Sequence, residues 1–215
     1  MKNKILVIAL LAGIVTRAGA MDQKAADILQ HMDAAEKKIT TLVFDYSEEI
    51  NYCLTKERQR MNGTVSCAMP NKLAVKQTSP LLQDIISDGK KVWVYTPTYH
   101  QVLVDNFKKW EKSSFVPSSL ITIGRTAQEI RKKYTVTVSS ETAGVVILDL
   151  VPLKKDAWRM TLWIDHQTYL PQRAVFDGDN VTISLSVSGY LINTTLDPGM
   201  FSFTAPSGVE EIKVQ

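Results

Sequence analysis

Thr41-Leu42-Val43-Phe44-Asp45-Tyr46-Ser47-Glu48-Glu49-Ile50-Asn51-Tyr52 decides the fold class. Leu42, Phe44, Tyr46, Ile50 and Tyr52 fall on one side of a two-residue repeat, with Val43, Asp45, Ser47, Glu49 and Asn51 on the other. Successive side chains of an extended strand point to opposite faces, so the run predicts a long half-buried β-strand. Upstream, Ala25, Ile28, Leu29, Met32, Ala35 and Ile39 follow a 3.6-residue period across residues 22–39, with Asp22 as a candidate N-cap, which predicts one amphipathic helix. Downstream, strand patterns recur at 72–77, 84–87, 90–95, 100–105, 134–139, 144–151, 158–165, 170–176, 181–192 and 199–204, with turn signals between them. Asp88-Gly89 suits a type I′ hairpin because both residues tolerate positive φ. Residues 107–133 break the pattern: Pro117 can open a short helix around Leu120, Ile121 and Ile123, and residues 128–131 suggest another. About ten or eleven antiparallel strands, an N-terminal helix and a short helical insertion predict an α+β domain on a single large curved sheet.

The 215 residues suit one domain, and 45% hydrophobic with 22% charged residues is an ordinary globular composition that excludes disorder, collagen and coiled coil. The net charge of +3 hints at nucleic acid or an anionic membrane, but it belongs to the N-terminus. Lys2 and Lys4 form a basic start, Ile5 to Val15 an apolar run, and Ala18-Gly19-Ala20 a small-x-small site before Met21. This reads as a cleaved export signal over residues 1–20, followed by a single domain over 21–215. The apolar run is too short to span a bilayer, and Arg17 interrupts it. Without Lys2, Lys4 and Arg17, 22 basic residues face 22 acidic ones. The mature chain is formally neutral, and net charge lends no support to nucleic-acid binding.

Catalytic and metal signatures are not evident. His31, His100 and His166 lack zinc spacing, and no GxSxG, P-loop or GxGxxG motif is present. Glu48 and Glu49, adjacent on a strand, face opposite ways and cannot act as an acid–base pair. Asp177-Gly178-Asp179-Asn180 reads as a turn rather than a calcium loop. No residues are nominated for an enzyme, a metal or a cofactor. Cys53 and Cys67 can join neighbouring strands if their hairpin centres near residue 60, and an oxidising compartment favours that disulfide. A turn at Asn62-Gly63 is the competing reading, because it would place Cys53 opposite residue 72.

A sheet this large must close, pair or be covered. One long helix and a short helical insertion over its concave face can leave an apolar cavity, or can fill the concavity as an ordinary core.

The run from Asp88 through Trp93 and Tyr95 to Pro97, followed by Gln101-Val102, resembles the signature of the LolA family of periplasmic lipoprotein carriers. Met69-Pro70-Asn71-Lys72-Leu73, Val116-Pro117 with Leu120-Ile121, Phe201-Ser202-Phe203 and Pro206-Ser207-Gly208-Val209 resemble further family elements, in family order. The resemblance implies an incomplete antiparallel β-barrel with helices as a lid over an apolar cavity. It implies a monomeric periplasmic carrier without cofactor that takes acylated lipoproteins from an inner-membrane ABC transporter to an outer-membrane acceptor. On this reading Phe44, Tyr46, Leu73, Val75, Trp93 and Tyr95 are candidate cavity or rim residues, and Leu120, Ile121 and Ile123 are candidate lid residues. Carriers of this family hold the lid with an arginine before the Pro-Asn segment; here that position is Met69, whose thioether cannot replace the guanidinium fork. The chain stops soon after Val209, without the longer C-terminal extension of some members, which bears on transporter and acceptor contacts. A LolA-like carrier of lipid or glycolipid, and an envelope-stress sensor module on a related fold, are the alternative readings.

Overall fold

The computed structural model describes residues 22–110, 127–142, 144–154 and 158–214. The proposed export signal and Leu120, Ile121 and Ile123 lie outside the described residues. Helix α1 (Gln23–Glu36) begins where the Asp22 carboxylate accepts from the Lys24 N–H at 3.1 Å, and it buries Ala25, Ile28, Leu29 and Met32. The expected helix stops at Glu36, and Ile39 is buried beyond it.

Twelve strands among the described residues form one sheet: β1 (Thr41–Tyr52), β2 (Arg58–Ala68), β3 (Lys72–Ser79), β4 (Gln83–Ser87), β5 (Lys91–Thr96), β6 (Gln101–Asn106), β7 (Tyr134–Glu141), β8 (Val145–Pro152), β9 (Arg159–Asp165), β10 (Pro171–Asp177), β11 (Val181–Ile192) and β12 (Glu210–Lys213). The order is β12-β6-β5-β4-β3-β2-β1-β11-β10-β9-β8-β7. The chain folds outward from β1 to β6, passes through α2 (Phe107–Trp110) and α3 (Ala127–Lys133) to β7 at the far edge, and returns to close on β1 through β11. The two edge strands, β12 and β7, do not pair, so the antiparallel sheet stays open as expected.

The last part of the chain differs from expectation. Residues 199–204 are not a strand: the Asp197 carboxylate accepts from the Gly199 N–H at 2.9 Å and starts a 3₁₀ turn over Pro198–Phe201. The chain then reaches the β6 edge and adds β12 in parallel, with Glu210 opposite Gln101. Strand β12 with its parallel pairing, and β2, for which no strand range was expected, bring the described strands to twelve in place of the ten or eleven antiparallel ones expected.

Both readings of the cysteine hairpin are corrected. Asn51 pairs with Arg58 and Leu42 with Cys67, so β1 and β2 turn over residues 53–57, where Lys56 takes a φ of 60°. Cys53 is a free thiol in that turn, and Cys67 is a free, buried thiol opposite Leu42. Asn62 and Gly63 lie inside β2, opposite Ser47 and Tyr46. The Asp88-Gly89 hairpin forms, but not as type I′: Gly89 has a φ of 92°, whereas Asp88 is not at positive φ, and its carboxylate accepts from the Lys90 and Lys91 N–H groups at 2.8 Å. Burial pushes the Cys67 thiol up to about 12, so it has little thiolate character. Alkylation of the native, unreduced protein is therefore expected to label Cys53 alone, with Cys67 reacting only in denaturant; labelling of neither thiol in denaturant would restore the disulfide.

Glu36 gives α1 a pH dependence. Burial, followed by repulsion from Asp33, raises its pKa from 4.5 to about 7. Between those values the native state holds a proton that the unfolded chain has released. The stabilisation is therefore complete below about pH 4.5 and is lost as pH rises through 7. Discounted for partial exposure, the loss is about 1–2 kcal/mol. Glu36→Gln is expected to flatten Tm against pH between 4.5 and 8 and to exceed the parent at pH 8; identical profiles would refute the shift.

Candidate functional site

Strand alternation and register together assign the faces. Leu42, Phe44 and Tyr46 of β1 stand opposite Cys67, Val65 and Gly63 of β2, and Cys67 and Val65 stand opposite Leu73 and Val75 of β3. Ile85 and Val92 continue this face across β4 and β5. On the other side of β1, Leu185, Ala174, Leu162, Leu148 and Val136 carry it to the β7 edge. These residues form one apolar core cluster, joined from above by α1 and by Trp110 and Ile130. Each fully buried Leu, Val or Phe contributes about 1.5–3 kcal/mol relative to exposure, which favours keeping this face covered.

Four of the six residues expected at the cavity share this concave face: Phe44, Tyr46, Leu73 and Val75, none more than 6% exposed. Trp93 and Tyr95 do not. Val92 and Val94 pack on the concave core, so the pleat turns Trp93 and Tyr95 to the outer face. There they meet the Phe203 ring at centroid distances of 6.4 and 5.3 Å, opposite Val104 and Val102 of β6. The C-terminal segment thus covers a second, smaller apolar layer. Met69 is exposed at the β2–β3 turn, ahead of a cis Met69-Pro70 peptide, and its N–H donates to the Thr40 carbonyl at 2.8 Å.

The sequence reading missed half of the face. Leu148, Leu150, Leu162 and Leu185 on β8, β9 and β11 are as buried as the β1 residues, and the alternation of 144–151, 158–165 and 181–192 was the signal that could have found them.

Polar groups on this face are few and mostly uncharged. Burial, followed by the neighbouring Glu48 charge, raises Tyr46 to about 12, and burial alone raises Tyr190 further. The Tyr190 hydroxyl donates to the Pro171 carbonyl at 2.5 Å, and its ring lies 5.6 Å from that of Phe44. Glu48, 2% exposed, shares the face with Tyr46 two residues away, as strand alternation requires, while Glu49 faces outward and pairs with Arg60 at 2.7 Å. No group of three or more metal-ligating side chains occurs among the described residues. The arrangement suits apolar chains: a sheet of aliphatic and aromatic side chains on one wall, helices on the other, and phenol and thiol groups that stay protonated at neutral pH.

A family model described as the outer membrane lipoprotein carrier protein LolA matches residues 37–204. An outer-membrane lipoprotein carrier protein of Dechloromonas aromatica is 25% identical over 203 residues, covering 94% of this chain and 91% of the relative. One from Pasteurella multocida is 24% identical over 212 residues, covering 98% and 97%. Among solved structures, a conserved protein of Thermus thermophilus superposes with a TM-score of 0.55 at 15% identity, covering 89% of this chain and all of that one. MucB does so at 0.54 and 13%, covering 86% of this chain and 64% of MucB. At such identities these structures speak for the fold alone.

Proposed function

Because the chain belongs to the LolA family of outer membrane lipoprotein carrier proteins, we propose that it carries acylated lipoproteins with their acyl chains against the concave face of the sheet. The carrying observation is the apolar layer from Leu73 and Val75 through Phe44 and Tyr46 to Leu148 and Leu162, covered by helices rather than by a second sheet. Acyl chains cost about 0.8 kcal/mol per CH₂ to expose to water, so a lipoprotein with several chains needs a carrier to leave a membrane. Helices resting on a continuous sheet can lift without breaking strand pairing, which supports reversible loading. Retention must stay weaker than in a bilayer, and the buried Glu48 beside Tyr46 limits how apolar the face becomes.

In this reading residues 1–20 are an export signal, 21–215 a single carrier domain working in the periplasm, and Leu120, Ile121 and Ile123 part of the lid. An inner-membrane ABC transporter is the donor and an outer-membrane protein the acceptor. Met69, exposed where a latching arginine would stand, leaves the closed state to be held by other contacts. The Arg131 guanidinium donating to the Ala26 carbonyl at 2.7 Å, and the ion pair of Lys24 with Glu141, are such contacts for α1.

Protein purified from its native compartment is expected to carry acylated polypeptides, identified by mass spectrometry after gentle extraction. Recovery of free phospholipid alone would assign lipid as the cargo and overturn the lipoprotein reading. A protein that neither carries acylated material nor binds an apolar fluorescent probe would overturn both.

A further inference from the structure

Helix α1, which packs against β7 and α3, is fastened at its C-terminal end and along its length by different chemistry. Beyond its C-terminus, Asn193 takes a φ of 57° and clamps the linker that leads into β1. Its Oδ1 accepts from the Thr40 N–H at 2.7 Å and from the Thr40 hydroxyl at 3.0 Å, and its Nδ2 donates to the Lys38 carbonyl at 2.9 Å. The Asn193 N–H donates to the Thr41 carbonyl at 2.8 Å. All of these groups are uncharged, so the clamp holds at any ordinary pH.

The contacts of the helix itself titrate. His31 stacks on the Tyr169 ring of the β9–β10 turn, with 4.7 Å between centroids and 15° between planes. His166, in the same turn, meets Tyr169 at 5.9 Å, and its Nε2 lies 3.3 Å from the Glu141 carboxylate at the end of β7. Glu141 also pairs with Lys24 of α1. Five side chains from three parts of the fold thus form one clasp between helix and sheet.

The clasp can take up protons without breaking. A carbonyl only accepts, so the His31 contact with the Asp27 carbonyl at 2.8 Å puts a proton on Nδ1. The Glu141 carboxylate likewise calls for a proton on Nε2 of His166. In each ring the other nitrogen is the one that gains a proton, and histidine is the side chain whose charge changes between about pH 5 and 8. A charged His166 turns its bond to Glu141 into an ion pair, and a charged His31 turns its stack into a cation–π contact. The charged groups around the two rings are Lys24 and Asp27 of α1, Arg131 of α3 on the Ala26 carbonyl, Glu141 of β7, and Asp165 beside His166. Three carboxylates face two fixed cations, so the added imidazolium charges are met by acids. Glu36 acts in the same sense: burial, then repulsion from Asp33, favours its protonated form on the closed helix. Asp33 is itself paired with Lys37 at 2.6 Å.

We propose that α1 is a proton-controlled lid: acid holds it on the concave face through Glu36 and the clasp of His31, Tyr169, His166, Glu141 and Lys24, and a rise through neutral pH lets it lift about the Asn193 clamp. Lifting withdraws Ile28, Leu29 and Met32 from the apolar cluster that holds Phe44 and Leu148, and so bares that face. The inference rests on the reading of the helices as a cover over the carrier face and names what regulates one of them.

Amide exchange of the full mature chain, corrected for the intrinsic rate at each pH, is followed in α1 and in β1. The opening constant of α1 is expected to be at least tenfold larger at pH 8 than at pH 5.5, while β1 stays protected at both. An apolar fluorescent probe is expected to bind at least threefold more tightly at pH 8, because the α1 side chains no longer compete for the face. His31→Gln with His166→Gln is expected to raise α1 opening severalfold at pH 5.5 and to shrink the pH difference, and adding Glu36→Gln to abolish it. His100→Gln, in the β5–β6 turn of the other wing, is expected to leave the difference intact. Equal α1 opening at the two pH values in the parent, a full pH difference in the triple variant, or acceleration of β1 in step with α1 would each overturn the proposal. All of these are read on protein without cargo, and any of them could coexist with co-purifying acylated polypeptides, so failure here is distinguishable from failure of the carrier reading.

Discussion

Phe44→Ala is expected to lower the unfolding free energy by about 3–5 kcal/mol, measured by urea denaturation. Phe44 is fully buried in the first half of β1, the strand that joins both wings of the sheet. It stands opposite Val65 of β2, and its ring centroid lies 5.6 Å from that of the tilted Tyr190 ring, so truncation opens a void that neither wing can fill without shifting the seam. Against a total stability of roughly 5–15 kcal/mol for a domain, this removes a large share. Phe44→Leu, which keeps much of the volume, is expected to cost far less. A loss below about 1 kcal/mol for the alanine variant would mean that the concave face is loosely packed at its centre.

Gly63→Ala is expected to cost about 3 kcal/mol, at the upper end for overpacking. A side-chain carbon at Gly63 would collide with the Lys76 carbonyl oxygen and stand 2.8 Å from the Tyr46 ring and 3.0 Å from the Gln77 Cα. Two of the three obstacles are backbone of the adjacent strand, at the irregularity between Asn62 and Gly63 in the β2–β3 pairing. The strand must separate for the methyl to fit, so amide exchange in β3 is expected to accelerate together with the loss of stability. Adding Tyr46→Leu relieves only the ring contact and is expected to restore a minor part. Full rescue by that second change would place the whole conflict in the side chain.

Gly63 also marks where sequence reading reached its limit. Asn-Gly is a strong hairpin signal, and here it lies within a strand because Tyr46 packs over the space that a side chain would occupy. The real turn, residues 53–57, holds no glycine and reaches positive φ through Lys56, which carries no turn signature. The alternation of β1 was legible because its apolar face is buried along most of the strand. Trp93 and Tyr95, expected at the cavity or its rim, turn to the outer face; the period could not tell the two faces apart because β5 is apolar on both sides, with Val92 and Val94 inside and the aromatic pair beside Phe203. Strand β12, Glu-Glu-Ile-Lys, has no alternation to read; its place is set by the parallel edge of β6 and by the Pro198–Phe201 turn. On the buried apolar face, the residues of β1 and β3 follow a period legible in the sequence, and the β8, β9 and β11 residues were left out although their period was equally clear.

The pairing of β1 with β11 also governs the order in which the molecule can assemble. Leu42 meets Ile192, and Tyr52 meets Val181, so one edge of the central strand has no partner until nearly the whole polypeptide has been made. The segment from β1 to β6 can form a meander as it emerges, with nearest neighbours in sequence lying side by side. The second wing must then be added through contacts between distant parts of the chain, a slow step that exposes an open edge and a half-covered apolar surface in the meantime. A nascent carrier is therefore itself a client: before it can shield anything else from water, its own first six strands need shelter from aggregation.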